Sequence, residues 1–333
     1  GRAVEIPIHK RALANLGKNP NCAAVLVVGL GCEALRAETL VSAIAESGKP
    51  VEYVSIQRDG GTRKTAAKGI EICRRLLAES ATIKRKTFGL DRIIMGLECG
   101  GSDAFSGVTA NPSVGVASDW LVDQGGTVIL TEDTEMIGTS HILERRAKTP
   151  EVAAAVAKMI ADAEKLTHDI LGPLASYVIA PGNMDGGMSS IQEKSLGCIV
   201  KAGSRPINQV VDYAVVPAER GVVLMDGPGY DTESMTGLAG GGAQLIVFTT
   251  GRGNPIGFPI CPVIKVASTS RMYRSMEDDM DINAGAVLEG KILPDVGEEI
   301  IGLIRRVLNG EQTKAEINGQ RGILCLYTMH PAF

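Results

Sequence analysis

Short apolar runs alternate with amphipathic stretches along the first 85 residues. Residues 23–30 are continuously apolar, and 33–46 repeat their apolar positions at helical spacing before closing on Ser47-Gly48. A second apolar run follows over 51–56, and a second helical stretch over 62–79. Apolar runs bounded by glycine predict buried strands, and the 3.6-residue period predicts helices. The order βαβα predicts a parallel sheet, preceded by a short helix-like stretch over 9–16. Two strands are few for a doubly wound unit, so this unit is either small or lacks its beginning.

The same alternation resumes further on. Strands are predicted over 93–97, 127–131, 222–225, 245–249 and 263–267. Helices are predicted over 112–124, 135–147, 150–171, 189–202, 233–238 and 295–308, the one at Pro150 opened by Thr149 as cap and proline in the first turn. Between the two regions lies Lys84-Arg85-Lys86, readable as a linker or as a solvated helix end. The expectation is an α/β fold of parallel-sheet Rossmann-like units in two packed domains, 1–85 and 86–333. Neither repeats nor low-complexity tracts interrupt it.

Composition narrows the function. Hydrophobic residues make up 44% of the 333, enough for a sizeable core, and with only 4% aromatics that core is built of aliphatic side chains. A net charge of -4 gives no basic footprint for nucleic acid or an anionic membrane. No run reaches the length of a membrane span, and the start does not read as a signal peptide, so a cytoplasmic location is expected. Seven scattered cysteines read as reduced thiols rather than a disulfide framework. The four histidines, His9, His141, His168 and His330, stand in no metal-binding pattern, and neither a CxxC pair nor a G-x-S-x-G elbow occurs.

Chemistry concentrates in polar loops rich in glycine. Glu98-Cys99-Gly100-Gly101-Ser102-Asp103 follows an apolar strand and offers a thiol, two acids and a hydroxyl, enough to bind a metal or position a substrate. The alternative is that Ser102 or Asp103 merely caps the next segment. Gly31-Cys32-Glu33 has the same form at another strand end, where Glu33 favours the start of the following helix. Thr249-Thr250-Gly251-Arg252-Gly253-Asn254 lets backbone N–H groups approach an anion while Arg252 grips it as a fork, which suits a carboxylate or a phosphate. Nucleotide binding is the weaker reading, because Gly29 and Gly31 lack the third glycine of a dinucleotide fingerprint and no Walker loop appears. In the loop 182–187, Asn183 and Asp185 are placed to bind hydroxyls, while Glu193-Lys194 reads as an acid–base pair or as plain surface. Four acids between Glu277 and Asn283 need a nearby cation unless that loop is simply solvated.

These strings, taken in order, resemble the altronate and galactarate dehydratase family. They are Val28-Gly29-Leu30-Gly31-Cys32-Glu33, Glu98 to Asp103, Gly182-Asn183 with Gly186-Gly187, Glu193-Lys194-Ser195, Gly229-Tyr230-Asp231, Phe248 to Gly253, Val263-Ile264-Lys265 and Asp279 to Gly285. The resemblance runs over nearly the whole chain and is nearer the altronate branch. Sulfolactate sulfo-lyase β subunits are similar too. The resemblance implies a hydro-lyase that converts a hexonate or hexarate to a 2-keto-3-deoxy sugar acid with ferrous iron, manganese or an iron–sulfur cluster being the alternatives. It also implies a partner SAF-type domain or subunit, whose absence would make this chain a fragment. A non-catalytic sugar-acid-binding subunit is the rival reading, and a homodimer is the default assembly.

On that basis Cys32, Glu33, Glu98 and Cys99 are expected to face the metal. Arg252 and Lys265 are expected to hold the substrate carboxylate, and Ser102, Asn183, Thr250 and Asn283 its hydroxyls. Lys194, Asp281 or Asp103 is expected to move protons. Removing a proton beside a carboxylate is hard because charge accumulates there, so such a site needs a metal or cations, a base, and an acid for the departing hydroxide.

Overall fold

The computed structural model describes residues 5–177 and 179–328. His330 lies outside them. Among the described residues, nine strands fall into two parallel sheets. The smaller pairs β1 (Val25–Gly29) with β2 (Val51–Ser55) in register. The larger runs in the order β5 (Ile207–Val211), β6 (Gly221–Met225), β4 (Thr127–Leu130), β3 (Ile94–Cys99), β7 (Leu245–Thr250), β8 (Val263–Ala267), β9 (Ile282–Asn283). Every pairing in it is parallel. The α/β fold expected from the sequence is therefore present.

Helices cover both faces of the large sheet, as its continuous apolar strands require. Met95, Leu97, Val128, Leu130, Val247 and Ile264 form one core, together with residues of the helices Ala110–Asp123, Pro150–Leu171 and Leu293–Leu308. The alternate positions Ile129, Val223, Ile246 and Phe248 form the other, with Met235 and Leu238 of the helix Asp231–Gly240. Leu16 of the helix Ile6–Lys18 joins that second core and so ties the small unit to the large one. Asn19 just beyond it reinforces the tie, its side-chain amide donating to the carbonyls of Ala239 and Ala243 at 2.9 Å each.

Several predicted boundaries move. The helix expected over 33–46 begins only at Ala37, because Glu33 turns back and accepts the Gly31 N–H at 2.6 Å. The helix expected over 135–147 is a series of short turns, Asp133–Met136, Ser140–Leu143 and Glu144–Arg146, interrupted by Gly138 at φ 81°. The stretch expected as one helix over 189–202 is the helix Ile191–Cys198 followed by a tighter turn, Ile199–Ala202. β5 went unread, since its partly exposed Asn208 and Gln209 interrupt the apolar pattern.

β3 sits at the centre, and the strand order reverses there: the chain passes from β3 to β4 and β6 on one side, then crosses to β7 on the other. Crevices at the carboxyl ends of strands flanking such a reversal are where α/β proteins bind ligands.

Candidate active site

Consecutive side chains of a strand point to opposite faces, so the end of β3 presents Cys99 to one side of the sheet and Glu98 to the other. Each meets a separate buried polar group.

On the Cys99 side, three segments distant in sequence converge. The turn after β4 brings Glu132 and Glu135, and the helix Ile191–Cys198 with the turn after it brings Lys194, Cys198 and Lys201. The Cys99 thiol lies 2.8 Å from Glu135 Oε2 and 3.7 Å from Glu132 Oε1. Glu132 Oε2 accepts the Cys99 N–H at 3.1 Å and the Lys201 ammonium at 3.0 Å. Lys194 pairs with Glu135. One ligand atom from each of Cys99, Glu132, Glu135 and Cys198 falls within 4.8 Å of every other, and all four residues are buried. Glu132 adopts a left-handed backbone at φ 71°, which costs a non-glycine residue about 1–3 kcal/mol. The bonds to Cys99 and Lys201 oppose that cost and hold the carboxylate in place.

Electrostatics follows the packing. Burial raises Glu132 to about 7, Glu135 adding to the effect and the lysines opposing it. Burial pushes Glu135 upward too, but Lys194, Lys201 and the Cys99 hydrogen bond outweigh it, leaving it below its ordinary value. Its hydrogen bond with Cys198 and its burial hold Cys99 as a neutral thiol, well above its usual range. Burial opposes the charge on Lys194, yet Glu135 beside it prevails and keeps it an ammonium.

This donor set fits a divalent cation. With Glu132 ionised, the two carboxylates and two ammonium groups cancel, so two thiols that gave up their protons would be balanced by one doubly charged ion. Mixed thiolate and carboxylate ligation suits zinc or ferrous iron. The cluster could therefore hold a metal. Glu135 and Lys194 also line a cleft of about 400 Å³, whose walls include Asp133, Asn183, Gly229 and Tyr230. Polar chemistry thus has access to a space of substrate size.

On the opposite face, Glu98, Phe248 and Lys265 occupy one row across β3, β7 and β8, paired in register. The Lys265 ammonium stands 3.5 Å from the centre of the Phe248 ring, and its nitrogen has no hydrogen-bond partner among the described residues. Burial lowers it to about 7, against the pull of Asp231 and Glu98. Glu98 accepts from Ser234 through one oxygen and leaves the other unpartnered. Burial, with Glu132 and Asp231 nearby, raises it well above the carboxylate range.

The remaining predicted residues are distributed as follows. Cys32 and Glu33 sit at the edge of the small sheet, beside a separate cleft that includes Arg36 and Tyr53. They and Glu98 are not members of the four-residue cluster. Asp103 is committed to its loop: one oxygen accepts Ser106 N at 2.9 Å and Ser106 Oγ at 2.8 Å, the other Ser268 Oγ at 3.0 Å. Ser102 is buried, and its carbonyl takes the Asn183 amide at 2.8 Å. Thr250 Oγ1 accepts Gly253 N, Asn283 bonds Ser270, and Asp281 accepts the backbone N–H of Lys265 and Lys314. Arg252 is exposed in a third cleft.

Glu132, Glu135, Cys198 and Lys201 escaped the sequence reading. A signal existed. Glu132 and Glu135 lie in the turn after an apolar strand, as Glu98 and Cys99 end one, and Cys198 stands four residues after Lys194 on the same helix face.

Comparison with known proteins agrees with this architecture. The family model described as D-galactarate/Altronate dehydratase, C-terminal, matches residues 90–330. The one described as D-galactarate dehydratase/Altronate hydrolase, second domain, matches residues 3–81. The chain is 36% identical over 313 residues to an altronate dehydratase of Bacillus subtilis, covering 93% of this chain and 62% of that protein. It is 36% identical over 320 residues to the galactarate dehydratase (L-threo-forming) of Escherichia coli, covering 93% and 60%. It is 33% identical over 320 residues to the (2R)-sulfolactate sulfo-lyase subunit beta of Chromohalobacter salexigens, covering 95% and 82%. The chain thus spans about three-fifths of the two dehydratases. Among the described residues no helix is long and apolar enough to cross a membrane. With a match that takes in its whole larger sheet, this chain belongs to the D-galactarate/altronate dehydratase family.

Proposed function

We propose that this chain carries the dehydrating centre of a sugar-acid hydro-lyase, which converts altronate or a related hexonate or hexarate to its 2-keto-3-deoxy acid. The observation that carries the reading is the buried cluster of Cys99, Glu132, Glu135 and Cys198, opening through Glu135 and Lys194 onto a cleft. We assign those four residues to ferrous iron. A divalent ion bound there would stabilise the negative charge that builds on the substrate carboxylate as the adjacent carbon loses its proton.

The chain's own groups supply the rest. Lys194 remains protonated beside Glu135, so it serves as an acid, giving its proton to the departing hydroxide. Asp133 lines the same cleft, and burial together with Asp226 raises its carboxyl far above the usual range, so it accepts a proton only from its ionised form. The step balances. The proton on the carbon beside the carboxylate passes to Asp133, the neighbouring carbon–oxygen bond breaks, the hydroxide takes the Lys194 proton and leaves as water, and the resulting enol becomes the ketone. Asn183 walls the cleft but uses its amide to hold Ser102, so we assign it to positioning. An SAF-type domain or subunit is part of the proposal, because the dehydratases matched are longer than this chain.

The test is formation of 2-keto-3-deoxy acid from altronate and from galactarate, with ferrous iron, by the chain alone and with an SAF-type polypeptide. Lys194→Met should abolish it. Unchanged turnover in that variant would remove the assignment.

A second reading has its own support: the chain covers a larger share of the sulfo-lyase subunit, 82%, than of the dehydratases. Release of sulfite from sulfolactate, with no water loss from altronate or galactarate, would favour it.

A further inference from the structure

A cleft of about 460 Å³, walled in part by Asp103, shares no lining residue with the cleft that Lys194 lines. The turn after β7 and the helix Ser270–Ser275 bound it, and Arg252, Arg271, Asp103, Phe105, Met272 and Met276 are among its walls. We propose that Arg252 and Arg271 form a second oxyanion-binding site, separate from the cleft over the thiol–carboxylate cluster, for a carboxylate or a phosphate.

Charge is the first argument. Among the described residues neither guanidinium has an ion-pair or hydrogen-bond partner. Asp103 is the one carboxylate in the wall, and both of its oxygens already accept hydrogen bonds from Ser106 and Ser268. The concave space therefore holds two permanent positive charges against one carboxylate, whose oxygens are tied to the loop rather than to either guanidinium. Guanidinium forks match carboxylate and phosphate oxygens in pairs.

Preorganisation is the second. Gly251 is pressed onto Asp103 so closely that a Cβ there would lie 2.3 Å from Asp103 Cγ. The Gly251 and Arg252 N–H groups both donate to Gly101 O, at 3.1 and 2.8 Å. Arg271 rises from a helix start fixed by Thr269, whose hydroxyl accepts the Met272 N–H, and by the Ser270–Asn283 hydrogen bond. Both stems leave braced backbone, so only side-chain rotamers remain to be ordered around an anion.

Isothermal titration of the full 333-residue chain with inorganic phosphate, and separately with galactarate, tests this. At least one anion should bind, and Arg252→Ala and Arg271→Ala should each weaken it about tenfold or more. Arg271→Lys should recover part of the loss, because it restores charge without the fork. If galactarate displaces phosphate and its own affinity falls in Arg271→Ala, the natural ligand is a sugar-acid carboxylate; if phosphate still binds under saturating galactarate, it is a separate anion. Absence of binding to the wild-type chain, or equal affinities in the wild type and the double alanine variant, overturns the proposal. Among the described residues neither side chain has a partner to lose, so the variants should fold, and a melting curve verifies that. The cluster around Cys99 is untouched by these substitutions, so the outcome is independent of the dehydratase assignment.

Discussion

Cys99 Sγ and Glu135 Oε2 meet at 2.8 Å although one ends a central strand and the other belongs to an irregular turn 36 residues later. The contact exists because β3 and β4 are neighbours in the sheet, so the loops leaving their carboxyl ends must share space. With Cys198 and Glu132 it makes a pocket of two sulfurs and two carboxylates. Cobalt(II), a spectroscopic stand-in for iron, should give a strong thiolate-to-metal absorption that Cys99→Ser and Cys198→Ser each diminish. Identical spectra in wild type and both variants would place the metal elsewhere.

The helix carrying Lys194 and Cys198 is set against the loop after β3 by two glycines. A Cβ on Gly107 would fall 2.9 Å from Gly197 Cα, and one on Gly197 3.1 Å from Gly107 Cα. Gly197→Ala should push the helix outward, costing about 1–3 kcal/mol in urea unfolding. It should also weaken metal binding, since Cys198 is the next residue. Full stability and full metal affinity in Gly197→Ala would mean that the close approach is not needed.

Lys265 should leave a signature in the pH dependence of stability. Its folded value, about 7, lies below that of the unfolded chain, because burial disfavours the charge. Between about pH 7 and 10 the unfolded state then binds more protons than the folded one, so this group makes stability rise with pH across that window. Below it, both states are protonated and the cost of the buried charge is fully felt. Lys265→Met should therefore be more stable than wild type near pH 6, the gap narrowing toward pH 10. Parallel stability curves for the two proteins would show that Lys265 is not held in this way.

Asn19 is almost fully buried and donates to two carbonyls of the large unit. Asn19→Ala should remove both hydrogen bonds, costing about 1–3 kcal/mol. It should also raise hydrogen exchange in the helix Ile6–Lys18 before any change in the large sheet. Exchange unaltered in that helix would contradict its role as a tie.

The strands of the large sheet were readable because burial on both faces turns them into unbroken apolar runs. β5 and the two-residue β9 were not, since both are edge strands that keep polar residues. The region 135–147 misled for another reason: its apolar spacing resembles a helix, but Gly138 at φ 81° breaks the backbone. At the site, Cys99 and Lys194 were legible because thiols and amines in glycine-loosened segments stand out. Cys198 resembled any small apolar residue of a helix, and only the tertiary approach of that helix to β3 gives it a role. In Asp103, Thr250 and Asn283 the sequence displays polar groups but not their engagement with neighbouring Ser106, Gly253 and Ser270.

Iron content and sugar-acid turnover, measured together in wild type and in a Cys99→Ser/Cys198→Ser double variant supplied anaerobically with ferrous iron and an SAF-type polypeptide, bear most directly on the dehydrating centre. The wild type should bind one iron and form 2-keto-3-deoxy acid, with both lost in the variant while its fold persists. Equal iron and equal turnover in the two proteins would contradict this.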